Sequence, residues 1–233
     1  MTTDFLIPPS PRPAVPVDGG GLFPVRRILC VARNYAAHAR EMGQDPDREP
    51  PFFFTKPADD VFPVAFGEEG TWPYPRATCR VDHELEMVVA LGSGGADLDP
   101  VAAEACVWGY AIGLDMTRRD LQAAAKSAGR PWDMAKGFDA CAPISPIVPR
   151  SRMGLLAAGT IELQVNGATR QRGDLSDMIW PVGAMLAELS RYVTLQPGDL
   201  VFTGTPEGVG PVERGDRLIG HIAGLGELRL RVV

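Results

Sequence analysis

The chain has 233 residues, 45% hydrophobic and 22% charged, with a mean hydropathy of −0.02, the composition of a globular protein with one substantial core. Its net charge of −6 gives no electrostatic case for a nucleic-acid or anionic-membrane partner, and no apolar run is long enough to span a bilayer. Cys30, Cys79, Cys106 and Cys141 form no C-x-x-C pair, and the N-terminus lacks the basic and apolar regions of a signal peptide, so a cytoplasmic protein is expected.

Gly (26 residues) and Pro (22 residues) are abundant, which points to many turns and a strand-rich fold. Residues 1–25 read as a Pro/Gly-rich arm, and 26–233 as a single catalytic domain. Arg27 to Ala32 (RILCVA) is a β-prone run. After it, Asn34 is a helix N-cap followed by an Ala-rich stretch that ends at Gly43, giving a short helix near 34–43. The polar, Pro-rich residues 44–51 suit a mobile connection, so that helix reads as a lid. Pro51–Pro57 (PFFFTKP) is an apolar strand candidate ending in a cation, and His83–Leu91 is a second strand. Pro100–Ala105 opens a short helix, Val107–Met116 is a buried strand, and Thr117–Ala128 a helix. Residues 129–139 read as a loop. Thr160–Val165 and Ala168–Arg172 flank Asn166-Gly167, the signature of a type I′ hairpin. Trp180–Arg191 is an amphipathic helix, Leu200–Thr203 a strand, and two more strands occupy 217–222 and 227–233. Helices are few and scattered, which excludes a doubly wound α/β pattern. The fold class is α+β and β-rich, built on a rolled or sandwiched sheet.

Residues i and i+2 of a strand face the same way, so Glu84 and Glu86 share a face while Leu85, Met87 and Val89 enter the core. Alone, that pair is equally a solvated outer face. Asp115 ends the apolar run Ala111–Leu114 and alone reads as a cap or turn residue. Together the three make an all-oxygen set suited to Mg²⁺, with Mn²⁺ or Ca²⁺ possible. His83 faces away from Glu84 and Glu86 and reads as a packing residue. His38 and Glu41 lie three apart on the short helix, where a carboxylate can orient an imidazole as a general base. Their bland reading is a surface pair. Lys136, between Trp132 and Phe138, needs an anionic partner and could stabilise an oxyanion, with Gln122 as a second donor. The loop Thr203–Gly210 is no Walker A motif; its backbone N–H groups and the Thr205 hydroxyl could hold a substrate carboxylate.

Six ordered stretches resemble the fumarylacetoacetate hydrolase family, in its short acylpyruvase branch. They are VARNYAAHAREM (31–42), FFTKP (53–57), HELE (83–86), GYAIGLDMTRRDLQ (109–122), PWDMAKGFD (131–139) and TGTP (203–206). The resemblance implies a mixed β-sandwich roll, usually a homodimer. It implies metal ligands at Glu84, Glu86 and Asp115, water activation by His38 and Glu41, and substrate contacts from Lys136, Gln122, Arg33 and Thr205. The family's usual Gly before Arg-Asn-Tyr is Ala32 here, so the backbone there should be conventional. The segment ARNYAAHAREMGQDPDREPPFFFTKPADDV is similar to the members that hydrolyse fumarylpyruvate in the gentisate route of aromatic degradation. The expected substrate is thus a small anionic diketo acid, whose far carboxylate would need Arg33, Lys56 or Arg118. Two rivals remain: a decarboxylase or isomerase on the same scaffold, which needs no His–Glu dyad, and a non-catalytic metal- or ligand-binding protein.

Overall fold

A computed structural model describes residues 5–36 and 50–233. In chain order the strands are β1 (Ala14–Pro16), β2 (Leu22–Pro24), β3 (Arg27–Ala32), β4 (Phe52–Lys56), β5 (Val61–Pro63), β6 (Glu69–Trp72), β7 (Val81–His83) and β8 (Leu85–Leu91). After α1 (Pro100–Ala105) come β9 (Val107–Leu114), β10 (Thr117–Arg118), α2 (Arg119–Ser127), α3 (Asp133–Lys136), β11 (Ala142–Ile144), β12 (Val148–Pro149) and α4 (Arg150–Met153). The hairpin β13 (Thr160–Val165) and β14 (Ala168–Asp174) leads to α5 (Val182–Tyr192), β15 (Asp199–Phe202), β16 (Gly210–Val212), β17 (Arg217–Ile222) and β18 (Gly226–Val232).

The largest sheet runs β4-β3-β15-β8-β9-β11-β5, with β12 added beside β9. Both its faces are buried. Leu85, Met87, Val89 and Leu91 join one core with the five-stranded sheet β14-β13-β17-β18-β6. Val88 and Ala90 join a second core with Ile28, Cys30, Ala111, Ile144, Leu200 and Phe202. Pairing Ile28 with Lys56, and Val88 with Ala111, sets the register that gives each face its residues. Gly113 leaves room on this second face, since a Cβ there would lie 2.6 Å from the Phe202 ring. Val15, Phe23 and Val25 are buried in the same core, so the N-terminal arm packs on the body through the β1–β2 pair. Both layers together make the expected strand-rich α+β fold with few helices.

Several elements fall where the sequence puts them. Arg27–Ala32 and Pro100–Ala105 match residue for residue, and Asp99 caps α1 through Val101 and Ala102. Asn166 and Gly167 take φ of 53° and 79°, as a type I′ turn requires. Others differ. His83–Leu91 is broken at Glu84 into β7 and β8, which belong to different sheets. The helix expected from Thr117 begins at Arg119, because Thr117 and Arg118 pair with Asp82 and Val81. The expected loop 129–139 contains one helical turn, α3, and the helix expected from Trp180 starts at Val182. Asn34 is no free cap: its amide donates to the Trp180 and Thr203 carbonyls and accepts from the Trp180 N–H. Ala32 is ordinary strand, and positive φ (62°) falls on Arg33 instead. Most of the expected lid helix near 34–43, with His38 and Glu41, lies outside the described residues. No described helix is long and apolar enough to cross a membrane.

Candidate metal centre and substrate cleft

Glu84, Glu86 and Asp115 converge, each offering a carboxylate oxygen within 4.8 Å of the others, and all three are buried. Their placement follows from the strand break. The Asp115 N–H donates to the Glu84 carbonyl at 2.8 Å, tying the start of β8 to the end of β9. Glu86 shares the Val88 and Ala90 face of β8, so the polar side of this strand meets a second core and not solvent.

The three carboxylates differ in their partners. Asp115 is fully buried between two ammonium groups, Lys56 Nζ at 2.7 Å and Lys136 Nζ at 2.6 Å. Glu84 receives Lys136 Nζ at 2.8 Å and the Arg119 guanidinium. Glu86 accepts from the Gly204 N–H at 2.7 Å, and no cation stands at ion-pair distance among the described residues. Burial, then the charges of Asp115 and Glu84, push the Glu86 carboxyl well above the usual carboxylate range. Burial alone would lower the Lys136 ammonium, but Asp115 and Glu84 outweigh it and the net shift is upward. Gly204 must be glycine: its φ is 91°, and a Cβ would come within 2.7 Å of the Asn34 Cβ.

A narrow cleft over the carboxylates is lined by Arg33, Phe54, Glu84, Glu86, Arg119, Gln122, Lys126, Trp132, Lys136, Gly204 and Thr205. Of the residues expected to meet substrate, Arg33, Gln122, Lys136 and Thr205 are therefore on its walls. Gln122 is buried, and its Oε1 accepts from Arg119 Nη1 at 2.6 Å, leaving the amide N–H₂ as donor. The Thr205 hydroxyl donates to the Leu85 carbonyl at 2.7 Å and accepts from Gln171 Nε2 at 2.8 Å. His83 is a packing residue, with Nδ1 3.0 Å from Gln171 Oε1; that oxygen also accepts from the Leu85 N–H, so Nδ1 is the donor.

Two expected substrate contacts lie elsewhere. Lys56 points to the inner face of the sheet and is fully enclosed, donating to the Met116 and Lys136 carbonyls as well as to Asp115. Its work is to hold Asp115. Arg118 lies over the Phe138 ring at 4.5 Å and donates to the Met134 carbonyl, outside the cleft walls. Its neighbour Arg119 occupies the site, bridging Asp82 Oδ2 at 2.8 Å to Glu84 and Gln122. The sequence reading missed Arg119 because only the start of α2 decides which of two adjacent arginines faces inward.

Three hard oxygen donors at one end of the β8–β9 pair, crowded enough to demand positive charge, suit a divalent cation such as Mg²⁺ or Mn²⁺. The fold and site thus define a metal-binding scaffold for small acids. The chain belongs to the fumarylacetoacetate hydrolase family, whose model "Fumarylacetoacetate (FAA) hydrolase C-terminal" matches residues 27–233. A solved structure of fumarylpyruvate hydrolase from Pseudomonas aeruginosa, in complex with Mn²⁺ and pyruvate, is 55% identical, covers 99% of each chain and superposes with a TM-score of 0.97. The fumarylpyruvate hydrolase of a Ralstonia species is 43% identical over 82% of this chain and 98% of its own. An Arabidopsis thaliana mitochondrial oxaloacetate tautomerase is 40% identical over 88% of this chain and 90% of its own.

Proposed function

We propose that this protein is a divalent-metal-dependent hydrolase that cleaves the carbon–carbon bond of an acylpyruvate, with fumarylpyruvate as substrate and fumarate and pyruvate as products. The observation that carries this reading is the convergence of Glu84, Glu86 and Asp115 beneath a cleft walled by Arg119, Gln122 and Lys136. The Mn²⁺ and pyruvate of the Pseudomonas aeruginosa enzyme support both the cation and the keto-acid half of the substrate. Mg²⁺ is the cation we assign, held by those three carboxylates; once bound it would polarise a chelated keto acid and offset its charge. The resemblance to gentisate-route enzymes adds a cytoplasmic homodimer as the form in which the protein works.

In the hydrolysis a water oxygen bonds to the distal carbonyl carbon, and its proton passes to His38, oriented by Glu41. The Gln122 amide N–H₂ and Lys136 stabilise the resulting oxyanion. Collapse breaks the carbon–carbon bond. The electron pair leaves on the pyruvate methylene carbon, which then takes a proton. The Arg119 guanidinium fixes the Gln122 amide through its carbonyl oxygen, so the donor keeps one orientation through the step. Following the enol absorbance of fumarylpyruvate, with Mg²⁺ or Mn²⁺ and with EDTA, tests the reading. Metal-dependent loss of the enol with release of fumarate is expected. Turnover of oxaloacetate with fumarylpyruvate untouched would overturn it in favour of the tautomerase or decarboxylase activity.

A further inference from the structure

Arg119, Gln122 and Lys126 stand at i, i+3 and i+7 of α2, so they share one face, and all three line the cleft. The first two are committed, Arg119 to Asp82 and Glu84, and Gln122 to Arg119. Lys126 differs. Among the described residues no carboxylate pairs with its ammonium, which lies 4.9 Å from the centre of the Trp132 ring. Its surroundings are cationic: burial lowers its pKa first, Arg119, Arg33 and Lys136 lower it further, and Glu84 pulls the other way. Lys126 is exposed at the cleft wall, so its ammonium stands open to an anion arriving from solvent, among like charges that favour one.

Its position also fits the length of a substrate. Seven residues of helix rise about 10 Å, so the Lys126 backbone stands about that far along α2 from Arg119, the residue that holds Glu84. The cleft shares Phe54, Trp132 and Lys136 with a neighbouring cavity of about 370 Å³. An acyl chain anchored at its keto-acid end over Glu84, Glu86 and Asp115 would extend along this wall. Of the three cations expected for the far carboxylate, Lys56 and Arg118 are turned away from that path, and Arg33 lines the cleft together with Lys126.

We infer that Lys126 binds the carboxylate at the acyl end of the substrate and so makes the site select dicarboxylic over monocarboxylic acylpyruvates. This rests on the acylpyruvate hydrolysis proposed above. Trp132 backs the ammonium with its ring face, which holds the side chain over the cleft in the absence of an ion pair.

The test compares the metal-loaded parent enzyme with Lys126→Met and Lys126→Arg on fumarylpyruvate and on acetylpyruvate, which has the same diketo head and no far carboxylate. Methionine keeps the length and the contact with Trp132, so folding is undisturbed. For Lys126→Met the fumarylpyruvate KM should rise about 10- to 100-fold, the usual cost of one charged hydrogen bond, with kcat close to the parent's. Acetylpyruvate kinetics should not change, and Lys126→Arg should recover most of the loss. An unchanged fumarylpyruvate KM in the methionine variant, or equal losses on both substrates, would overturn the assignment. A parent enzyme that cleaves neither substrate would instead refute the hydrolase reading itself, so the two failures are distinguishable.

Discussion

Replacing Glu86 with Gln should stabilise the metal-free protein while abolishing its response to metal. The side chain keeps its shape and can still accept from the Gly204 N–H, now through an amide oxygen. What changes is charge. Glu86 lies within 4.8 Å of two other carboxylates, and each such pair repels by about 3.5 kcal/mol at an effective dielectric of ~20. Lys136 offsets part of this, and proton uptake by Glu86 relieves more, leaving a gain of about 2 kcal/mol for the variant. In a chain of this size that is about 4–8 °C in Tm in EDTA. Because the Glu86 carboxyl is raised in the folded state, its stabilising proton uptake is fully present below the unfolded carboxyl pKa of about 4.3 and is lost as pH rises through the folded value. The advantage of the variant should therefore grow with pH. Metal reverses the order: at a hundredfold excess over Kd the parent gains about 2.7 kcal/mol and the variant nothing. Scanning calorimetry of both proteins in EDTA and in Mn²⁺, at several pH values, reads all of this. A Gln variant less stable than the parent in EDTA, or one that gains equally from Mn²⁺, would refute the reasoning.

Asp115→Asn should act with the opposite sign in EDTA, because it leaves the buried ammonium groups of Lys56 and Lys136 short of their shared anion. The loss should be about 3–5 kcal/mol by urea denaturation, with or without metal. Arg119→Met removes the guanidinium that holds Glu84 against Asp82 and should weaken Mn²⁺ binding about 10- to 100-fold by calorimetry. His38→Ala should lower kcat about 10²- to 10⁴-fold with Mn²⁺ affinity unchanged, which single-turnover kinetics and calorimetry together would show.

The elements legible in the sequence were those whose cause is local. The Asn166-Gly167 turn needs only its two positive φ angles, and α1 only Asp99 and Pro100. The strands that went unseen are short and paired at long range: β5 pairs in parallel with β11, and β16 and β10 flank β7. No three-residue run announces such partners. In the site, Asp115 was legible as a lone acid after an apolar run, a local signal, whereas Glu84 comes beside Glu86 through the strand break and its backbone bond to Asp115, not through alternation along one strand. Lys56 was misplaced because its cause, too, is not local. Its direction is set by pairing with Ile28 on β3, which turns it to the inner face behind Asp115. The same inner face explains why the Glu86 side of β8 is not solvated: Val88 and Ala90 on that side were already apolar, a sign that it had a core of its own.

The way the chain distributes its cations separates a metal site from a structural charge network. A network built for stability alone would pair every buried carboxylate, since an unpaired buried charge is costly. Here Lys56 and Lys136 hold Asp115, and Lys136 and Arg119 hold Glu84, which fixes both in place beside the ends of β8 and β9. Glu86 is given one backbone N–H and two like charges as neighbours. That remaining deficit is one a bound divalent ion removes, and it lies where the two compensated carboxylates already converge. Lys126 presents the complementary case, a cation on the same cleft wall with no carboxylate partner among the described residues. One end of the cleft calls for a cation and the other for a carboxylate. A metal-chelated keto acid bearing a distant carboxylate would satisfy both, which is the substrate class of the proposed function.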